Sequence, residues 1–205
     1  MTYLNNAASG WPRAPGVIEA VTDALQAVPT HPGRALHRSS VMDRCREGLA
    51  RMLGEEDHTR VVLTTNATHA LNLAVLGLGL QAGARVVTSV AEHNSVLRPL
   101  HHLEQRVGID VVKIGLAADG GFDHEALERA LEPAPRLVAL THASNVTGRV
   151  FDVGPLFAAA RKAGAVTLLD ASQSLGHVPV NASELQADLV AFTGHKALHG
   201  PPGTG

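Results

Sequence analysis

The sequence predicts an α/β fold, a mostly parallel sheet sandwiched by helices. Short apolar runs of strand length alternate with longer segments of helical period between Arg60 and Phe192, the pattern of strands joined by crossover helices. The strand-like runs are rich in Val and Leu, as in strands buried on both faces. Hairpin turn signals between them are lacking, so successive strands are expected to run in the same direction.

Taken in order, Ala14 to Val28 and Ser40 to Leu53 read as helices joined by the segment Thr30 to Arg38 (THPGRALHR). They predict an N-terminal helical arm over residues 1–55, ahead of an α/β domain over residues 56–205. Arg60 to Thr65 (RVVLTT) reads as a strand and Thr68 to Leu78 as an apolar helix. Arg85 to Val90 is a strand, Ser95 to Val107 a helix, Asp110 to Ile114 a strand and Asp123 to Leu131 an amphipathic helix. Arg136 to Thr141, Ala165 to Asp170 and Asp188 to Phe192 complete the strands, with a helix at Pro155 to Ala163. The final stretch, Gly200-Pro-Pro-Gly-Thr-Gly205, is turn-rich, and a further strand or domain is expected after it.

Composition excludes several classes of function. The 205 residues carry a formal charge of −2 with no basic run, which argues against nucleic acid as a partner. No apolar run approaches the ~18 residues of a membrane span, and the N-terminus lacks the features of a secretory signal, so a cytoplasmic protein is expected. The single cysteine, Cys45, has no internal partner and reads as a core or groove residue on a helix. Twelve histidines are present, but His101 and His102 are adjacent and accompany no ligand motif; no metal site is expected.

Ligands of parallel α/β sheets bind at the carboxyl ends of the strands. There the chain places Thr64-Thr-Asn-Ala-Thr68, Glu92-His93-Asn94-Ser95, His142-Ala-Ser-Asn145, Asp170-Ala-Ser-Gln173 and Thr193-Gly-His195-Lys196. Singly, Thr68, Asp170 and Gln173 read as helix caps, His93 as a loop residue and Lys196 as a surface charge. Capping does not require an amine, a carboxylate, an imidazole and two amides on one rim. A lysine amine in a cleft can form a Schiff base with an aldehyde, and a nearby aspartate can keep a pyridine nitrogen protonated. Those are the needs of pyridoxal 5'-phosphate, whose phosphate would sit on Ala67 and Thr68 at a helix N-terminus.

Five stretches carry a family resemblance in order and spacing: Tyr3 to Ser9 (YLNNAAS), Thr64 to Asn72 (TTNATHALN), Glu92 to Val96 (EHNSV), His142 to Gly148 (HASNVTG), and Leu169 to Gly176 (LDASQSLG) with Thr193 to Lys196 (TGHK). The sequence resembles the class V aminotransferase group of fold-type I pyridoxal phosphate enzymes, and within it the N-terminal portion of cysteine desulfurases. The resemblance implies that Lys196 holds the Schiff base, Asp170 pairs with the pyridinium nitrogen, Gln173 meets the ring hydroxyl and His93 stacks on the ring. It implies phosphate contacts from Ala67, Thr68, Thr193 and His195, and places Asn145 near the ring hydroxyl and the substrate carboxylate. It further implies a homodimer acting on a small amino acid. The family's substrate-binding arginine and persulfide cysteine would lie beyond residue 205. An aminotransferase or lyase acting on another amino acid, and a non-catalytic fragment, stay open.

Overall fold

The computed structural model describes residues 2–28 and 40–205; the predicted connection from Thr30 to Arg38 lies outside the described residues. Five strands, β1 (Arg85–Ser89), β2 (Asp110–Ile114), β3 (Leu137–Thr141), β4 (Val166–Asp170) and β5 (Leu189–Ala191), form one sheet in the order β2-β1-β3-β4-β5. Every pairing is parallel. Thr141 pairs with Asp170 and Asp170 with Ala191, so three neighbouring strands end level with one another. Whatever follows them in sequence is therefore delivered to one rim.

Helices cover both faces. On one side α3 (Ala67–Gly77) and α4 (Asn94–Val107) set Leu71, Val75, Val96 and Leu100 against Val86, Leu137, Ala139 and Leu168. On the other, α5 (His124–Ala130) and α6 (Gly154–Lys162) set Leu127, Leu156 and Phe157 against Val87, Val138, Leu140 and Leu169. Consecutive strand residues thus alternate between two cores, which is why the strands read as unbroken apolar runs. Each such side chain contributes about 1.5–3 kcal/mol on burial. Among the described residues no helix is long and apolar enough to cross a membrane.

Helix boundaries follow local chemistry. Asn66 caps α3 by accepting from the His69 N–H at 2.8 Å, and Asp123 caps α5 by accepting from Ala126 at 2.8 Å. α4 ends at Gly108, whose φ of 81° few side chains tolerate. Ahead of the sheet, α2 (Val41–Met52) opens with a reciprocal capping box between Ser40 and Asp43.

Three expectations change. Helix α1 runs only from Val17 to Gln26 rather than Ala14 to Val28, because Gly16 before it is left-handed and Ala27 after it is extended. Arg60 to Thr65 is not a strand: His58–Arg60 is a turn of 3-10 helix and no ladder follows. Thr64 exchanges both main-chain hydrogen bonds with Gly205, at 2.6 and 2.8 Å, and one residue pair cannot define a strand. Cys45 lies on α2 but is exposed, since the only fully buried residue of that helix is Ala50.

Candidate active site

Beyond the level strand ends lies a cavity of about 460 Å³, within the size range of small-molecule sites. All nine residues singled out on the rim, Ala67, Thr68, His93, Asn145, Asp170, Gln173, Thr193, His195 and Lys196, line it. They come from the start of α3, the start of α4, the end of β4 and the segments following β3, β4 and β5.

Each side chain is held by specific partners. The Ser95 N–H donates to His93 Nδ1 at 3.1 Å, so the neutral ring carries its proton on Nε2. The Ser95 hydroxyl lies 2.8 Å from the same nitrogen and 2.7 Å from Thr68 Oγ1, joining the start of α4 to the start of α3. Asp170, 4% exposed, accepts the Ser172 N–H at 2.9 Å and the Ser172 hydroxyl at 2.5 Å, both on Oδ1. Thr193 Oγ1 stands 2.8 Å from His195 Nδ1. At the N-terminus of α3, the first-turn N–H groups of Ala67 and Thr68 have no intrahelical acceptor.

Electrostatics set the amine apart from an ordinary surface lysine. Burial lowers the pKa of Lys196, and the field of the Asp170 carboxylate opposes that shift. Burial also lowers His195, helped by the cations of Lys196 and Arg13. Glu92 lies beneath the rim, its carboxyl pushed up to about 8 by burial. The Ser89 hydroxyl and the Thr141 N–H, both donating to its Oε1, hold that shift back, and Asp170 adds to it.

A wall of the cavity comes from a part of the chain to which sequence reading assigned no site residue. Asn5, Ala7 and Ala8 line it, as part of an N-terminal strap spanning residues 3–13. The Gln173 amide nitrogen donates to the Ala7 carbonyl at 2.9 Å, leaving its Oε1 for a donor in the cavity. The strap's own motif, Tyr3 to Ser9, was legible, but contacts across more than 160 residues leave no local signal. Ser95 and Ser172 were within reach of sequence reasoning, since each sits two residues beyond a residue it supports, in the spacing of side-chain turns.

Fold and site together define a parallel α/β protein whose strand-end cavity gathers a partly buried lysine, a buried aspartate and a set of hydroxyl, imidazole and amide groups. Residues 2–205 match the model of the family described as aminotransferase class-V. The chain belongs to that family. It is 35% identical to a probable cysteine desulfurase of Methanothermobacter thermautotrophicus, over 99% of this chain and 51% of the relative. It superposes with a TM-score of 0.90, at 33% identity, on the apo structure of a cysteine desulfurase from Thermococcus onnurineus NA1, covering 98% of this chain and 52% of that one. A C-DES variant solved with glycine covalently linked to its pyridoxal phosphate cofactor matches at 26% identity and a TM-score of 0.86, over 100% of this chain and 55% of that one. The chain thus spans about half the length of the relatives it matches.

Proposed function

We propose that the chain is the pyridoxal phosphate-binding part of an enzyme that converts L-cysteine to L-alanine and enzyme-bound sulfur, with residues 1–55 as its arm. The observation that carries the reading is the meeting of Lys196 and Asp170 in one cavity with donors suited to a phosphate. The donor set fits the cofactor: N–H groups at the start of α3 with Thr68, Thr193 and His195 for the phosphate, and a carboxylate for a ring nitrogen. When bound, the cofactor supplies an electron sink for charge developing on the amino acid.

The chain's own residues do the rest. Asp170, oriented by Ser172, would hold a proton at the ring nitrogen of the bound cofactor. Lys196 would hold the cofactor, and burial, which disfavours its ammonium form against the opposing field of Asp170, makes its Nζ more readily deprotonated, and so more available as a proton acceptor, than that of an ordinary surface lysine. His93 lines the cavity, with its Nε2–H available to donate. Asn145, which lines the same cavity, would meet the substrate carboxylate. The chain's one thiol, Cys45, is exposed on α2 and does not line the cavity, so the sulfur acceptor is assigned to the part of the protein that the relatives carry beyond this half. The complete protein is read as a cytoplasmic homodimer.

Incubation with pyridoxal phosphate, borohydride reduction and peptide mapping tests the reading. The reduced pyridoxyl group is expected on Lys196; recovery on Lys113 or Lys162 would overturn it. Alanine and sulfide formation from L-cysteine is expected only when a C-terminal half is supplied. Turnover by the 205-residue chain alone, lost in Cys45→Ala, would reassign the acceptor.

A further inference from the structure

Lys196 sits on a segment without helix or strand, residues 192–205, whose internal main-chain bonds include His199 to Lys196 at 3.0 Å and Gly200 to Gly194 at 2.7 Å. A lysine on such a loop needs other support if its amine is to stand in one place. The strap supplies it. The His195 carbonyl, the acyl side of the peptide bond to Lys196, accepts from the Gly10 N–H at 2.9 Å, the Ser9 hydroxyl at 3.2 Å and Arg13 Nη1 at 3.3 Å. The same guanidinium nitrogen donates to the Gly200 carbonyl at 2.7 Å. On the other side of the lysine, a Cβ built on Gly10 would overlap the Lys196 carbonyl oxygen.

We propose that Arg13 and Gly10 are positioning residues for Lys196: the strap fixes the peptide groups on both sides of this lysine and thereby sets where its amine stands. Gly10 serves by having no side chain, because its main chain packs directly on the Lys196 peptide. Arg13 serves as a charged clamp across the start and end of the loop, joining His195 to Gly200. The strap is itself braced, with the Tyr3 hydroxyl 3.0 Å from both the Asn5 and Ser9 carbonyls and the Tyr3 and Trp11 rings edge to face at 5.6 Å. Its middle is latched by the Gln173 amide, which donates to the Ala7 carbonyl, so strap, lysine loop and the turn after Asp170 are joined. The proposal rests on the reading of Lys196 as the cofactor lysine.

The test compares wild type, Arg13→Met, Arg13→Lys and Gly10→Ala. In the cofactor-free chain, amide hydrogen exchange over residues 194–200 is expected to speed up about 10-fold in Arg13→Met, the loss of roughly one charge-assisted hydrogen bond. Exchange in β1, β3 and β4 should be unchanged. With pyridoxal phosphate added, the same variant should bind about 10-fold more weakly and show a displaced pH midpoint of the visible band. Arg13→Lys, which keeps the charge without the guanidinium fork, should recover only part of both effects. Gly10→Ala should exceed Arg13→Met; if it fails to fold, Arg13→Met alone decides. Wild-type exchange rates and an unmoved midpoint in Arg13→Met, with the pyridoxyl group still on Lys196, would overturn the strap proposal alone. Attachment elsewhere in wild type would overturn the lysine reading and this proposal with it.

Discussion

Helices α1 and α4 are both amphipathic, and they meet opposite fates. α4 buries Ser95, Val96, Pro99 and Leu100 against the sheet and ends at a left-handed glycine. α1 buries nothing: Ile18 is 75% exposed, Leu25 82%, and Val28 just beyond it 84%. The sequence pattern is alike, so amphipathicity in α1 marks a face that could be covered, and within the described residues nothing covers it. What distinguishes α4 is its connection to the site, since its N-cap is His93 and its second residue is Ser95.

The largest expected effect sharpens this contrast from the α4 side. Leu100→Ala removes a fully buried side chain between α4 and the sheet and should cost about 4 kcal/mol in denaturant unfolding. A loss below about 1 kcal/mol would mean that α4 is held by its N-terminal network instead.

Glu92, immediately before that network, gives the next effect. Its folded pKa of about 8 stands above the ordinary value of 4.5, so the folded state keeps a proton that the unfolded state releases as pH rises. The associated stability is present in full below pH 4.5 and is lost as pH climbs to about 8. Glu92→Gln does not titrate there, so the stability of wild type relative to this variant should fall by about 3 kcal/mol between pH 5 and pH 8. Parallel stability profiles for the two proteins over that window would show Glu92 to be ionised throughout.

Helix α2 lies between the extremes, with one buried residue and a capping box. Ser40→Ala should cost about 1 kcal/mol, measured by urea unfolding; no change would show the arm to be uncoupled from the cooperative unit. The smallest effect belongs to α1, where Leu25→Ala should alter the stability of the chain alone by no more than about 0.5 kcal/mol. A loss above 2 kcal/mol would break the comparison by showing that α1 is covered in solution.

The sheet was legible because its strands are continuous apolar runs and its helices carry their own caps, as with Asn66 and Asp123. The meeting of Thr68, His93, Asn145, Asp170 and Lys196 in one cavity was legible because each ends a strand, follows one or stands at the start of a helix, and parallel topology sends those positions to one rim. Residues 60–65 misled for the converse reason. The valines promise a strand, but a strand exists only with a partner, and Thr64 has Gly205 alone. Cys45 misled because free cysteine is usually buried, and nothing local says which side of α2 faces outward. The roles of Arg13 and Gly10 were illegible, since their partners are main-chain atoms whose position no side-chain pattern records.

The strap also orders events in time. Arg13 and Gly200 are 187 positions apart, and closing a loop of that length carries an entropic term of about 5 kcal/mol. That term is unfavourable until the sheet has brought the two ends together, so strap docking belongs late in folding. Pulsed hydrogen exchange should show protection in β1, β3 and β4 before the Gly10 amide; simultaneous protection would place the strap in the folding nucleus. On the ribosome, at about 5–20 residues per second, the strap waits roughly 10–40 s for residue 200 to be made. Of the nine side chains first singled out around the cavity, Lys196 is the last to be synthesised, and the segment that holds its peptide groups precedes all nine.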